Sequence, residues 1–125
     1  MANELILIVE DNPKNLKLVR DTLQVKGYQT IEAGTGEQGV QLAREHHPAL
    51  ILMDIQLPGI SGVDAFRQLR GDPATRSIPV IAVTASVMAQ ERQKVMAAGF
   101  DGFQGKPISV RELLTTIRQL LDESA

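Results

Sequence analysis

Three stretches of the chain are apolar without alternation: Leu5-Ile6-Leu7-Ile8-Val9, Leu50-Ile51-Leu52-Met53 and Pro79-Val80-Ile81-Ala82-Val83. A strand with one wet face alternates apolar and polar side chains, so unbroken runs of this length suit strands covered on both faces. Each run ends abruptly in polar residues: Glu10-Asp11 after the first, Asp54 after the second, Thr84 after the third. Between the runs the period lengthens to that of a helix. Pro13 fits a first helical position with Asp11 or Asn12 as its cap, and Leu16, Val19 and Leu23 form a stripe running to Lys26, where Gly27 stops it. Gln29 to Ala33 is a short strand candidate. Thr35-Gly36-Glu37-Gln38 reads as a capping box that opens a helix to about Glu45.

Pro58, Gly59 and Gly62 are turn residues beyond Asp54, and Ser61 is placed to cap a helix that reaches Arg70. Gly71 to Ser77 is polar, carries Asp72-Pro73 and reads as a loop. A helix from about Met88 to Ala98 stops at Gly99. Phe100 to Gly105 holds a short fifth strand, followed by Lys106-Pro107. Ser109 with Glu112 forms another capping box, and the helix it opens sets Leu113, Leu114, Ile117, Leu120 and Leu121 on one face. Five strands alternating with five helices predict an α/β fold: a doubly wound parallel sheet between two helical layers, joined by right-handed crossovers.

Size and charge narrow the function. A chain of 125 residues suits one domain over 1–125. Net charge is −2 with a pI near 5.6, so no basic field is available for nucleic acid or an anionic membrane. Cysteine is absent, which removes disulfides, thiolate metal sites and cysteine nucleophiles. The apolar runs are far too short to span a bilayer and Met1 to Glu4 leaves no room for a signal peptide, so a cytoplasmic location is expected. Nothing follows the last helix, which predicts output through protein–protein contact rather than a tethered effector.

Parallel strands bring all their carboxyl ends to one side, where ligands bind in open α/β sheets. Glu10-Asp11, Asp54, Thr84 and Lys106 each fall at or just past such an end. If the first strand lies between the second and third, its acidic pair stands beside Asp54. Three carboxylates that close need either a shared proton or a cation. Hard oxygen ligands suit Mg²⁺, which would also clamp a phosphoryl group arriving at Asp54. Lys106 offers a point charge and Thr84 a hydroxyl to other phosphoryl oxygens. Each residue alone has a plainer reading: Asp11 as a helix cap, Asp54 as an Asx-turn residue, Thr84 as a strand end, Lys106 as a solvated lysine. Their conjunction at four strand ends favours phosphoryl chemistry, an aspartyl phosphate on Asp54 being the product. His46-His47, lacking spaced acidic partners, reads as solvent-facing, and Met88 and Met96 as packing or surface residues.

These residues resemble the receiver domain of two-component response regulators over essentially the whole chain. The motifs that carry the resemblance are Glu10-Asp11-Asn12, Met53-Asp54 with Pro58 and Gly62, Thr84-Ala85, and Lys106-Pro107. The resemblance implies the strand order 2-1-3-4-5 of the flavodoxin-like three-layer sandwich. It implies Asp54 as phosphoacceptor and Mg²⁺ held by Asp11, Asp54 and the backbone carbonyl of Gln56, with Glu10 acting through water. Thr84 and Lys106 would hold the phosphoryl group, and the Lys106-Pro107 peptide would be cis. The aromatic switch position falls on Phe103, where many members carry tyrosine; phenylalanine keeps ring burial but has no hydroxyl. Ile55-Gln56-Leu57-Pro58 and Lys106-Pro107-Ile108-Ser109 look most like stand-alone receivers of the cell-division DivK type and receivers attached to hybrid kinases.

The partners implied are a histidine kinase or histidine phosphotransfer protein upstream and a protein target downstream, with the receiver a monomer or weak dimer. Access to the site near Gln56 and Ser86 would set the lifetime of the aspartyl phosphate. Two rival readings are weaker. A phosphatase with an aspartyl nucleophile wants an acid two residues on, where this chain has Gln56. A flavin module wants backbone donors after the first strand, where this chain has Glu10-Asp11-Asn12-Pro13, and Tyr28 is its only tyrosine.

Overall fold

The computed structural model describes residues 3–85 and 89–124. Ten elements alternate along the chain: β1 (Leu5–Val9), α1 (Pro13–Val25), β2 (Gln29–Ala33), α2 (Gly36–His46), β3 (Leu50–Asp54), α3 (Gly62–Arg70), β4 (Val80–Thr84), α4 (Ala89–Ala97), β5 (Gly102–Gly105) and α5 (Val110–Ser124). The strands form one parallel sheet in the order β2-β1-β3-β4-β5. The sequence pattern predicts the doubly wound parallel sheet, and the family resemblance implies this flavodoxin-like strand order.

The unbroken apolar runs have a simple cause. Along β1, Leu7 and Val9 point into one core with Val40, Ala43, Ala65, Phe66 and Val95, on the side of α2, α3 and α4. Ile6 and Ile8 point into the other, with Val19, Leu23, Leu113, Ile117 and Leu121 from α1 and α5. The same division separates Ile51 and Met53 from Leu50 and Leu52 in β3. Both faces are dry, so alternation would have buried polar groups without partners. The edge strands differ: β2 is only partly covered and β5 alternates buried with half-buried residues.

The helix ends follow the local signals. Asn12 rather than Asp11 caps α1, its side-chain oxygen accepting from the N–H groups of Lys14 (2.9 Å) and Asn15 (3.2 Å). Thr35 accepts from Gln38 N–H at 3.1 Å, but the return bond of the predicted capping box lands one residue early: Gln38 accepts from Gly34 N–H at 3.1 Å. Ser61 caps α3 through Asp64 N–H at 3.1 Å, and Ser109 receives Glu112 N–H at 3.4 Å. β4 begins at Val80, one residue later than its apolar run suggests, although the Pro79 carbonyl still accepts from Ile51 N–H at 3.0 Å. Ser86 and Met88, named above for site access and for the start of the fourth helix, lie outside the described residues. Exposure of His46, His47 and Met96 agrees with their reading as surface residues. No helix among the described residues is long and apolar enough to cross a membrane.

Candidate phosphoryl-transfer site

The sheet order sets β1 between β2 and β3, with Val9 level with Met53. The residues that follow β1 therefore stand beside the end of β3. Carboxylate oxygens of Glu10, Asp11 and Asp54 all lie within 4.8 Å of one another. Asp54 is 2% and Glu10 5% exposed, whereas Asp11 faces solvent. One wall of the cluster is apolar: Glu10 and Asp54 line a cavity of about 10 Å³ together with Ile8, Leu52, Val83, Ile108 and Leu113. That volume sits at the lower limit for a single water, so this side of the acid pair is effectively dry.

Lys106 answers the negative charge. It follows β5, and its backbone N–H bonds the Thr84 carbonyl at 2.9 Å, fixing it beside the end of β4. Its Nζ lies 2.8 Å from Asp54 Oδ2 and 3.1 Å from Glu10 Oε1. The Lys106-Pro107 peptide is cis. The other Asp54 oxygen, Oδ1, accepts from Gln56 N–H at 2.9 Å, and Glu10 Oε2 accepts from Asn12 N–H at 3.2 Å. Thr84 is buried at the last position of β4, with Asp54 one strand over and in register with Val83. The carboxyl edge thus gathers Glu10, Asp11, Asp54, Gln56, Thr84 and Lys106.

Three acids facing one ammonium remain crowded. Burial, and then the hydrogen bond and charge of neighbouring Asp54, push the Glu10 carboxyl up to about 7. Burial alone would lower Lys106, but hydrogen bonds to Asp54 and Glu10 outweigh it and raise its pKa. One member of the acid set therefore holds a proton readily at neutral pH unless a cation replaces it. The donor set is all hard oxygen, partly dry and partly open through Asp11, which fits a small divalent cation that keeps some of its water.

Phe103 lies on β5, level with Ala82, half-buried against the core on the side of α2, α3 and α4. The Arg92 guanidinium of α4 stacks on its ring, 4.7 Å from the centroid. Sequence reasoning missed that contact and the Glu10–Lys106 ion pair. Glu10 and Lys106 are far apart in sequence and meet only through the strand order, and the Arg92–Phe103 contact depends on how α4 lies against β5. Glu10 carried a signal, being an acid immediately after a fully apolar strand, but a role as partner to Lys106 does not follow from it.

Comparison with known proteins agrees with this geometry. A family model described as the response regulator receiver domain matches residues 6–118. The polar-differentiation response regulator DivK of Brucella ovis is 45% identical over 119 residues, covering 95% of this chain and 97% of that protein. The Brucella anthropi protein of the same name is 44% identical over the same shares. Among solved structures, the receiver domain of the sensor histidine kinase PA1611 from Pseudomonas aeruginosa, which has a magnesium ion coordinated in its active-site cleft, is similar with a TM-score of 0.89. It is 32% identical, covering 96% of this chain and 98% of that one. A CheY-like receiver domain protein from Methanospirillum hungatei gives a TM-score of 0.88 at 28% identity, covering 98% and 96%. The acid cluster, the buried threonine and the lysine on its cis peptide thus stand at the carboxyl edge of a fold shared with these proteins, and the chain belongs to the response regulator receiver domain family of two-component and phosphorelay signalling.

Proposed function

We propose that the receiver unit, residues 1–125, takes a phosphoryl group onto Asp54 from a phosphohistidine. The donor is a histidine kinase or a histidine phosphotransfer protein. The observation that carries this reading is Asp54 itself, a nearly sealed carboxylate with one oxygen tied to Gln56 N–H and the other to Lys106. In the transfer an Asp54 oxygen forms a bond to phosphorus while the phosphorus–nitrogen bond breaks. The electron pair stays on the imidazole nitrogen, which takes up a proton from water.

The oxygen set fits Mg²⁺, which Asp11, Asp54 and the Gln56 carbonyl would hold directly and Glu10 through water. The ion supplies positive charge to phosphoryl oxygens that would otherwise be repelled by the acids. Lys106 exchanges a carboxylate partner for a phosphoryl oxygen, and the Thr84 hydroxyl donates a hydrogen bond to another. Drawing Thr84 inward changes the space beside Phe103, and with it the faces of α4, β5 and α5 offered to a partner. Output is then binding to a protein target or onward phosphotransfer. The protein acts in the cytoplasm as a monomer or weak dimer, without nucleic acid or membrane as ligand. It assists its own phosphorylation and dephosphorylation and is not a turnover enzyme.

Incubation with acetyl phosphate and Mg²⁺ tests the assignment. Intact mass should rise by one phosphoryl group in the wild type and stay unchanged in Asp54→Asn. Equal labelling of the variant would move the acceptor to another residue.

A further inference from the structure

The turn between β3 and α3 carries the Gln56 carbonyl, and it is pinned at both ends. Ile55 N–H donates to the Val83 carbonyl at 2.9 Å, and Gly62 N–H donates to the Ile55 carbonyl at 3.1 Å. Between these points, residues 57–60 make a single hydrogen bond to another element among the described residues. Ile60 N–H donates to Glu37 Oε1 at 3.3 Å. Glu37 is in the first turn of α2.

The fit around this bond involves glycines from both segments. Gly59 has φ +79, and a Cβ built on it would stand 2.6 and 2.7 Å from the two carboxylate oxygens of Glu37. The absence of a side chain at Gly59 makes the seat in which the carboxylate rests. Across the same contact, a Cβ on Gly36 would stand 2.8 Å from the Ile60 side chain. α2 is in turn set against β1, since a Cβ on Gly39 would lie 2.8 Å from a Val9 methyl. Val9 directly precedes Glu10 and Asp11. A short path of contacts therefore runs from the strand that leads into two of the acids, through α2 and Glu37, to the turn bearing Gln56.

We infer that Glu37 is a positioning residue for the phosphoacceptor site, bracing the turn after Asp54 so that the Gln56 carbonyl keeps a fixed place relative to Asp11 and Asp54. This inference rests on the metal and phosphoacceptor roles proposed above. Glu37 touches neither metal nor phosphate; it acts through the backbone of Ile60. An acid in the first turn of a helix also interacts favourably with the helix dipole. That role needs the negative charge, whereas the brace needs only an oxygen that accepts.

The two roles separate in Glu37→Ala and Glu37→Gln, with Mg²⁺ alone as the probe. NMR titration should show Mg²⁺ binding weakened about three- to tenfold in Glu37→Ala, the effect of losing one net hydrogen bond. Amide exchange at Ile60 should accelerate in the same variant. Glu37→Gln, whose amide oxygen accepts from the same N–H, should bind Mg²⁺ and protect Ile60 like the wild type. Wild-type Mg²⁺ affinity in Glu37→Ala, or equal weakening in both variants, would overturn the inference. Failure of the wild type to take up Mg²⁺, or phosphorylation of Asp54→Asn, would instead overturn the proposed function on which it rests.

Discussion

At the scale of single residues, the site is governed by how many carboxylates one ammonium can balance. Glu10 shows the strain of this balance, its pKa raised from 4.5 to about 7 by burial and by Asp54. The sign of the stability effect follows from linkage. Between pH 4.5 and about 7 the folded protein holds the Glu10 proton while the unfolded chain has released it, so raising the pH through that window costs stability. Denaturant unfolding in EDTA should therefore show stability falling from pH 4.5 to 7, and Glu10→Gln should flatten the slope. An unchanged slope in Glu10→Gln would show that Glu10 is ionised in the folded state throughout. The identities of these residues were legible in the sequence because polar side chains directly after fully apolar strands are conspicuous. Their pairing was not. Lys106, placed at the site by its strand end as a charge for phosphoryl oxygens, turns out to lie 3.1 Å from Glu10 and 2.8 Å from Asp54.

At the scale of elements, the end of β3 and the start of α3 approach each other closely at Gly62. Gly62 reads in the sequence as a turn residue, but its role in the structure is closeness. A Cβ there would run into the Asp54 carbonyl oxygen and stand 2.7 Å from Ile55 Cα. These are backbone atoms of Asp54, the proposed phosphoacceptor, and its neighbour, so they have little room to yield. Gly62→Ala should destabilise the protein by about 1–3 kcal/mol, the usual cost of overpacking, whereas Gly34→Ala, with nothing within 4 Å of the added Cβ, should be close to neutral. Urea midpoints of the two variants check this, and equal midpoints would show that the turn gives way easily.

The opposite end of the sheet is held by a different kind of contact. Arg70 donates to the carbonyls of Arg76 (3.0 Å) and Ile78 (2.7 Å) and pairs with Asp101, while its guanidinium stacks on Phe66, 4.6 Å from the ring centroid. Phe66 in turn stacks on Phe100 with centroids 4.0 Å apart. None of this was legible beforehand, because Arg70 and Asp101 carry no periodic signal. Helix existence and type, in contrast, followed directly from caps and stripes. Where a boundary shifted, as at Pro79, the apolar run starts one residue before the first ladder pair, Ile51 with Val80, although the Pro79 carbonyl already accepts from Ile51 N–H.

At the scale of the whole molecule, two dry cores cover the two faces of one sheet, and its strand order assembles the site. Ligand binding and fold stability are therefore linked, because the acids come together only in the folded chain. A ligand that binds only the folded state stabilises it by about 2.7 kcal/mol at a hundredfold excess over its Kd. Mg²⁺ should accordingly raise the unfolding free energy at neutral pH by about this much at that excess. Identical unfolding curves in Mg²⁺ and EDTA would mean that the acid cluster takes no cation. The fold class was legible from the pattern alone, and the strand order came through the family resemblance.

The most direct test of the central claim is to map the phosphorylated position chemically. After incubation with acetyl phosphate and Mg²⁺, borohydride reduces an aspartyl phosphate to homoserine, and peptide mass mapping then locates it. The site described here predicts homoserine in place of Asp54 and nowhere else. Reduction at Asp11 or at an acid outside the cluster, or full phosphate incorporation with Asp54 intact, would contradict it.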